Sequence, residues 1–336
     1  MRILKKEIGK KKEEKKRKGN NNHTHNLKSR NEKEELIQRL KRCHDNDNIF
    51  NYIDEKYKKY IIKKNRNDSS QNNSINKEKN ENYIHNEIEG SKHLGSSSFI
   101  FFESINSYEL KKYKSAFSIY NILLNITKIN MQKLYDENNF LNKGWSDQEK
   151  LKELKSDRSK LILELYYKGK KIEQLKVVKR NITFKNIEHE TYDSKFFITK
   201  NTNNHFIDII KTNDKNQIDD FLKTNPIVCF VHFRFTPDYY PYQKNIICYL
   251  YEIQIIKEYI KIGIGTHLIN ILEQLCKNIH IHKILCTVLK SNYKAVMFYK
   301  NKCSFQMDES SPDNFYSDSH LSKECEYEIL KKDIIS

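Results

Sequence analysis

Cys248-Tyr249-Leu250-Tyr251-Glu252-Ile253-Gln254-Ile255, followed by Lys261-Ile262-Gly263-Ile264-Gly265-Thr266, is the stretch whose reading decides the fold. The first eight residues alternate and are rich in β-branched and aromatic side chains, the pattern of a strand. Two glycines then open a segment with apolar residues at Leu268, Ile271, Leu272 and Leu275, the spacing of a helix. A strand that feeds a glycine-flanked helix start leaves backbone N–H groups unpaired at the end of a sheet. Those donors and the helix dipole suit a phosphate group. Glu252 is the lone carboxylate in the apolar strand just upstream. An anion cradle beside such a carboxylate points to a phosphate-bearing cofactor next to a proton acceptor.

Composition limits the remainder. Of 336 residues only 37% are hydrophobic, and the mean hydropathy is -0.83. One folded domain with long solvated additions is therefore expected. The formal charge of +17 favours acidic partners, nucleic acid or a nuclear address, although lysine-rich solvated segments alone produce the same total. The seven cysteines are odd in number and form no Cys-x-x-Cys, and most lie in apolar runs. They read as buried thiols in a reducing compartment rather than a disulfide frame or a zinc site. The opening Met1-Arg2-Ile3-Leu4-Lys5-Lys6 lacks a signal-type apolar core, and no apolar run approaches a membrane span. A soluble intracellular chain without a metal site is the expectation.

Residues 1–97 read as a basic, largely disordered N-terminal region. Residues 5–18 are lysine-rich, suited to a nuclear address or a nucleic-acid-contacting arm, or simply a solvated tail. Leu36, Ile37 and Leu40 give a short amphipathic docking helix near residues 32–43, and Ile49 to Ile53 a second docking point. Residues 63–97 are a low-complexity insertion. Order begins at Ser98, and the folded domain spans 98–332. It holds a long helix from about Tyr113 to Tyr135, a charged helix ending near Leu154, and strands at Leu161–Tyr167, Pro226–Phe235, the Glu252 run and His282–Val288. A short helix covers Asn292–Lys302, and closing strands lie at Ser304–Met307 and Glu324–Lys331. Residues 170–225 read as a second low-complexity insertion. Strands alternating with helices around a sheet define an α/β (α+β) class.

The order of a strand with a glutamate, a Gly-x-Gly helix, a strand and then Asn292-x-x-Ala295-x-x-Phe298-Tyr299 resembles the GNAT acetyltransferase family. The resemblance implies a mixed, mostly antiparallel central sheet flanked by helices, and acetyl-CoA as co-substrate. It narrows through Asn130-Met131-Gln132 with Tyr135, Ser156-Asp157-Arg158, His232-Phe233-Arg234-Phe235 and Tyr249-Leu250-Tyr251-Glu252-Ile253-Gln254. Thr287-Val288-Leu289-Lys290, Asp308-Glu309-Ser310-Ser311-Pro312 and Tyr327-Glu328-Ile329-Leu330 extend it. These blocks are similar to the NatD-type N-alpha-acetyltransferases, which acetylate the N-terminal serine of histone tails beginning Ser-Gly-Arg-Gly. Two departures stand out. Ile260 occupies the place where the family's loop has Arg or Gln, with Lys261 beside it. The family's aromatic stretch after the Tyr135 position has no direct match: Phe140 and Trp145 stand nearby with three extra residues, and neither is assigned to it.

What the resemblance implies for single residues follows. Glu252 is the catalytic base, with Tyr251 beside it in the catalytic group. Tyr135, Tyr249, Tyr251, Thr287 and Tyr327 surround the substrate amine, and Asp238 meets the cationic arginine of the tail. The backbone of Ile253, Gln254 and Ile255 pairs with the pantetheine amides. Lys261, Ile262, Gly263, Ile264, Gly265 and Thr266 hold the pyrophosphate. Asn292 contacts the pantetheine and Tyr299 lies near the sulfur. An α-amine titrates near pH 8, about two units below a lysine side chain, so a mild base suffices. The implied partner is a histone N-terminal tail peptide, with a monomer acting in nucleus and cytoplasm and no membrane. Two other readings remain open: acetylation of lysine side chains or small amines, and a catalytically inactive protein that binds chromatin or nucleic acid.

Overall fold

The structure, a computed structural model, describes residues 34–41, 49–62, 98–168, 206–315 and 325–335. The lysine-rich arm and the first insertion lie outside these residues, as does residues 169–205 of the second.

Among the described residues, eight strands form one sheet: β1 (Lys59–Ile62), β2 (Ser98–Asn106), β3 (Lys160–Lys168), β4 (Ile227–Pro237), β5 (Ile246–Ile255), β6 (Lys283–Leu289), β7 (Gln306–Met307) and β8 (Tyr327–Asp333). Their spatial order is β1-β2-β3-β4-β5-β6-β8-β7. All neighbours are antiparallel except β5 and β6, which run parallel. The central strands are covered on both faces, which is why β3 and β4 read as nearly continuous apolar runs.

Alternation along the strands sorts their side chains into two layers. Ile100, Phe102, Ile162, Val231 and Phe233 pack with helix α6 (Ile264–Asn278) through Leu268, Ile271, Leu272 and Leu275. On the opposite face Ile105, Leu161, Leu163, Leu165 and Phe230 pack under α2 (Ala116–Glu137), whose Ile119, Tyr120, Leu123 and Ile126 are buried. Helix α3 (Asp147–Leu154) joins that layer. Its start is fixed by Ser146, whose hydroxyl accepts the Glu149 N–H at 3.2 Å, and it buries Lys150 and Leu154.

Two readings of the chain change here. The residues before 98 contribute to the fold. Besides α1 (34–41), whose Leu36 and Leu40 pack on the first layer, Ile49, Phe50 and Ile53 are buried there, and β1 pairs with β2. The stretch 206–224, read from its polar composition as insertion, forms α4 (206–211) and α5 (Lys215–Thr224). Phe206, Ile210, Ile218, Phe221 and Leu222 are buried against the second layer. The few apolar residues in that stretch recur on one helical face, and burial follows the face rather than the average composition. Asp214 caps α5 by accepting the Asn216 N–H at 2.9 Å.

Candidate active site

Partnering between β5 and β6 shapes the site. Cys248, Tyr249 and Leu250 pair with Ile284, Leu285 and Cys286, and there the pairing ends. Strand β6 continues along β8 as far as Leu289, while β5 continues along β4 as far as Ile255. The two parallel strands therefore diverge into a notch. From Tyr251 to Ile255 the edge of β5 has no β6 partner, and the Ile255 carbonyl takes an N–H from Asn130 of α2 at 3.1 Å. A β-bulge assists: His232 pairs with Glu252 and Phe233 with Leu250, so Tyr251 is the extra residue that re-aims the strand.

Glu252 sits at this bulge, only 5% exposed. Its side chain points into a polar network. Lys150 Nζ donates to Glu252 Oε1 at 2.6 Å and to Glu153 Oε2 at 2.8 Å. Gln254 Nε2 donates to Glu252 Oε2 at 2.7 Å, and Gln254 Oε1 accepts from Asn130 at 2.9 Å. Burial opposes a charge on Lys150, but the carboxylate of Glu252, followed by Tyr135 and Glu153, overrides it and lifts the lysine pKa well above its usual value. Lys150 is thus held as an ammonium.

Next to Glu252 on β4 is His232, fully buried, with Nε2 2.9 Å from Ser159 Oγ and Nδ1 without a partner. Burial, then Arg234 and Lys150, drive its pKa well below the ordinary value, so the ring is neutral. It stacks on Tyr251 at 4.9 Å, and the Arg234 guanidinium covers the Tyr251 ring at 4.4 Å.

Aromatic side chains wall the other side. Tyr249 lies 4.9 Å from Tyr251 and its hydroxyl is 2.5 Å from Thr287 Oγ1. Tyr135 packs at 4.7 Å from Phe140 and 5.6 Å from Trp145, and Phe140 meets Tyr327 edge-on at 6.2 Å. Both aromatic residues after Tyr135 therefore join it despite the longer spacing. Burial raises the phenol pKa values of Tyr135 and Tyr249, which keeps both neutral. Tyr239 belongs to the same cluster. Its position beyond a proline-containing turn gave no sequence signal.

Asp238 is placed differently from the expectation. Its carboxylate is buried and lies 2.9 Å from Lys283 Nζ, which also meets Asp308 at 3.2 Å. The chain's own lysine takes the position foreseen for a cationic residue of a peptide.

At the open end of the notch the chain turns through two left-handed residues, Lys261 (φ 63°) and Gly263 (φ 92°), into α6. The first bond within the helix runs from the His267 N–H to the Gly263 carbonyl. The N–H groups of Ile264, Gly265 and Thr266 thus fall outside the helix's own ladder. Gly263 is required by its left-handed backbone, and Gly265 lies close against a neighbouring ring. A Cβ on Gly263 would lie 2.6 Å from the Tyr60 hydroxyl, and one on Gly265 would press on Phe298 at 3.1 Å. Tyr60 of β1 donates its hydroxyl to the Ile262 carbonyl, so the N-terminal segment braces this turn. Lys261, Ile262, Gly263 and Thr266 are exposed there.

Asn292 is occupied by local structure: its side chain accepts the Ala295 N–H at 3.3 Å and caps α7 (Tyr293–Met297). Tyr299 follows in a π-helical turn, half-buried, its ring 5.2 Å from Phe298 and 5.3 Å from Phe305. Burial pushes its phenol well up, and the Cys286 and Glu252 charges add to the shift.

Residues 179–305 match the model of the acetyltransferase (GNAT) family. That stretch, less than half of the chain, holds the splayed parallel pair, the bulged β5 and the glycine turn before α6, and it is the part of the chain that is similar to that family. Solved structures similar to it include Arabidopsis thaliana NAA60 in complex with acetyl-CoA, at 12% identity over 70% of this chain and 98% of that one, with a TM-score of 0.35. Tetrahymena GCN5 is similar at 12% identity over 70% and 96%, with a TM-score of 0.36. A putative streptothricin acetyltransferase from Bacillus anthracis in complex with acetyl coenzyme A is similar at 20% identity, with a TM-score of 0.25. That alignment covers 32% of this chain and 57% of the bacterial one.

Proposed function

We propose that the chain is an acetyl-CoA-dependent N-alpha-acetyltransferase acting on the N-terminal serine of histone tails that begin Ser-Gly-Arg-Gly. The observation that carries this reading is the notch itself: an unpaired strand edge, a buried carboxylate at its apex and a glycine turn at its mouth. The residues present fit the cofactor. The edge from Ile253 to Ile255 offers backbone groups to an extended pantetheine arm, and the turn from Lys261 to Thr266, with the free helix-start N–H groups of Gly265 and Thr266, suits a pyrophosphate. Lys261 supplies a positive charge beside Ile260. Asn292 and Tyr299 follow β6 along the same wall.

Acetyl-CoA, when bound, supplies an acyl group on a thioester: the acceptor nitrogen forms the new C–N bond, the C–S bond breaks and CoA leaves as the thiol. Glu252 receives the proton that the nitrogen gives up, directly or through one water. Tyr251 lies between His232 and Arg234, and with Tyr135, Tyr249, Thr287 and Tyr327 it makes an aromatic cluster beside Glu252 that suits packing against a short N-terminal residue. Tyr299, whose phenol burial raises well above its ordinary pKa, keeps its proton at neutral pH and serves as wall rather than as acid. The basic segment of residues 5–18 supports contact with chromatin or nucleic acid, and we place the protein in nucleus and cytoplasm as a monomer.

The test is mass spectrometry of a Ser-Gly-Arg-Gly-Lys peptide incubated with the protein and acetyl-CoA. Acetylation of the serine α-amine is expected. Acetylation confined to the lysine side chain would make the protein a lysine acetyltransferase, and cofactor binding without turnover would make it a binding protein. Gly263→Ala tests the turn. The new Cβ meets Tyr60 in a left-handed backbone, a strain of about 1–3 kcal/mol. The KM for acetyl-CoA should rise roughly 5- to 100-fold while kcat stays within about twofold; an unchanged KM would remove the turn from the cofactor site.

A further inference from the structure

Lys150 enters the site from α3, and the chemistry above leaves it without a role. Its ammonium lies 2.6 Å from the carboxylate assigned as base, and its side chain is 9% exposed. Charged and titratable groups lie around the Lys150–Glu252 pair on every element packed against it. Lys150 and Glu153 come from α3, Tyr135 from α2, His232 and Arg234 from β4, Tyr251 from β5 itself, and Tyr299 from the turn after α7. Most of these carry no cation to Glu252. His232 is neutral, the tyrosines keep their protons, and Arg234 is turned to Ser159 Oγ at 3.1 Å and the Glu153 carbonyl. Lys150 is the cation in contact with Glu252 among the described residues.

We propose that Lys150 is a specificity-determining residue: by holding the cation position of Glu252 it bars a second ammonium, so that the acceptor enters as a free amine. The proposal rests on the N-alpha-acetyltransferase reading. Its consequence is selection by basicity. An α-amine titrates near 8 and a lysine side chain near 10.4, so at neutral pH the free-base fractions differ by about 250-fold. A bare carboxylate would blunt that difference, because it could bind either ammonium and deprotonate it in place. A carboxylate already neutralised by Lys150 has no such pull, and the neighbouring positive charge raises the cost of a protonated acceptor. Nothing sequestered in the site then offsets the solution preference for α-amines. The acyl transfer is the one written above, with the departing amine proton going to Glu252.

The experiment measures kcat/KM from pH 6 to 9.5 for the wild type, Lys150→Arg, Lys150→Gln and Lys150→Met. The acceptors are the Ser-Gly-Arg-Gly-Lys peptide and the same peptide with its α-amine blocked. For the wild type the ascending limb should follow the peptide's own α-amine, near pH 8, with the blocked peptide at least about 100-fold slower. The Gln and Met variants should move the limb down by about one pH unit and narrow the α-to-ε ratio tenfold or more. Lys150→Arg should restore the wild-type profile. Met fills the lysine's volume and serves if Gln fails to fold. Folded Gln or Met variants that keep limb and ratio, beside an active wild type, would overturn the role of Lys150 and leave the enzymatic reading intact. A wild type that acetylates neither peptide, or both equally, would overturn both.

Discussion

Glu252→Gln lowers kcat for α-amine acetylation by two to four orders of magnitude, with the KM for acetyl-CoA unchanged within about threefold. The size is that of a positioned general base. The substitution keeps the side-chain volume and an oxygen for Lys150 to donate to, at the position now 2.6 Å away. Its amide nitrogen faces Gln254 Nε2, a second donor, so the Gln254 contact is given up while the one to Lys150 stays. What it removes is the capacity to take a proton. Because the cofactor is assigned to the backbone edge of Ile253–Ile255 and the turn at Gly263, its affinity should not follow the loss in rate. Stopped-flow or discontinuous assays at saturating acetyl-CoA give kcat, and calorimetric titration gives the cofactor affinity. A variant retaining more than a third of the wild-type kcat would show that the proton leaves by another route. His232 is the nearest alternative, but burial, then the charges of Arg234 and Lys150, lower its pKa and make it a weak proton acceptor.

Much of this site could be read from the sequence because it is local. Glu252, the β5 alternation and the two glycines lie within one short stretch, where period and turn chemistry are sufficient. The partners of Glu252 could not be read in that way. Lys150 sits on a charged helix where lysine is an unremarkable surface residue. Its burial follows from α3 being pressed onto the sheet at the bulge, 102 positions away along the chain. His232 and Arg234 were visible as part of a family-like block, but their grip on Tyr251 depends on the register of β4 against β5. Asp238 failed for a related reason: Lys283, which claims it, lies on β6 beyond the intervening strand. The helices in 206–224 were hidden by averaging, since a polar stretch with one apolar face has the composition of a linker. For β1 the pairing partner lies across residues 63–97, and four residues of strand carry little periodicity by themselves.

A second large effect concerns stability. Glu103 of β2 is buried in the layer under α2, with Oε1 lacking a partner, and burial raises its pKa from 4.5 to about 9. Glu164 of β3 is buried with neither oxygen partnered and shifts in the same direction. A carboxyl whose folded pKa exceeds its unfolded value keeps a proton in the fold that the unfolded chain releases. Its contribution to stability is complete below about pH 4.5 and is lost as pH rises toward 9, at about 1.4 kcal/mol per pH unit. By pH 7.5 Glu103 alone costs the fold about 4 kcal/mol relative to acid. The buried histidines act in the opposite sense and elsewhere: His232 and His267 have lowered pKa values, so they cost stability only as pH falls below about 6.5. The thiols of Cys286 and Cys303, held above their ordinary pKa by burial, add a smaller loss in the same sense toward pH 8.5, so the interval from pH 7 to 8.5 reports mainly the carboxyls. Urea unfolding of the wild type should show stability falling by about 2 kcal/mol from Glu103 across that interval, with Glu164 adding a loss in the same direction. Glu103→Gln, which cannot ionise, should gain about 2–4 kcal/mol at pH 7.5 and remove its share of the slope. A variant with an unaltered slope would mean that Glu103 is ionised in the fold, and its unpaired oxygen would then have to be reached by water.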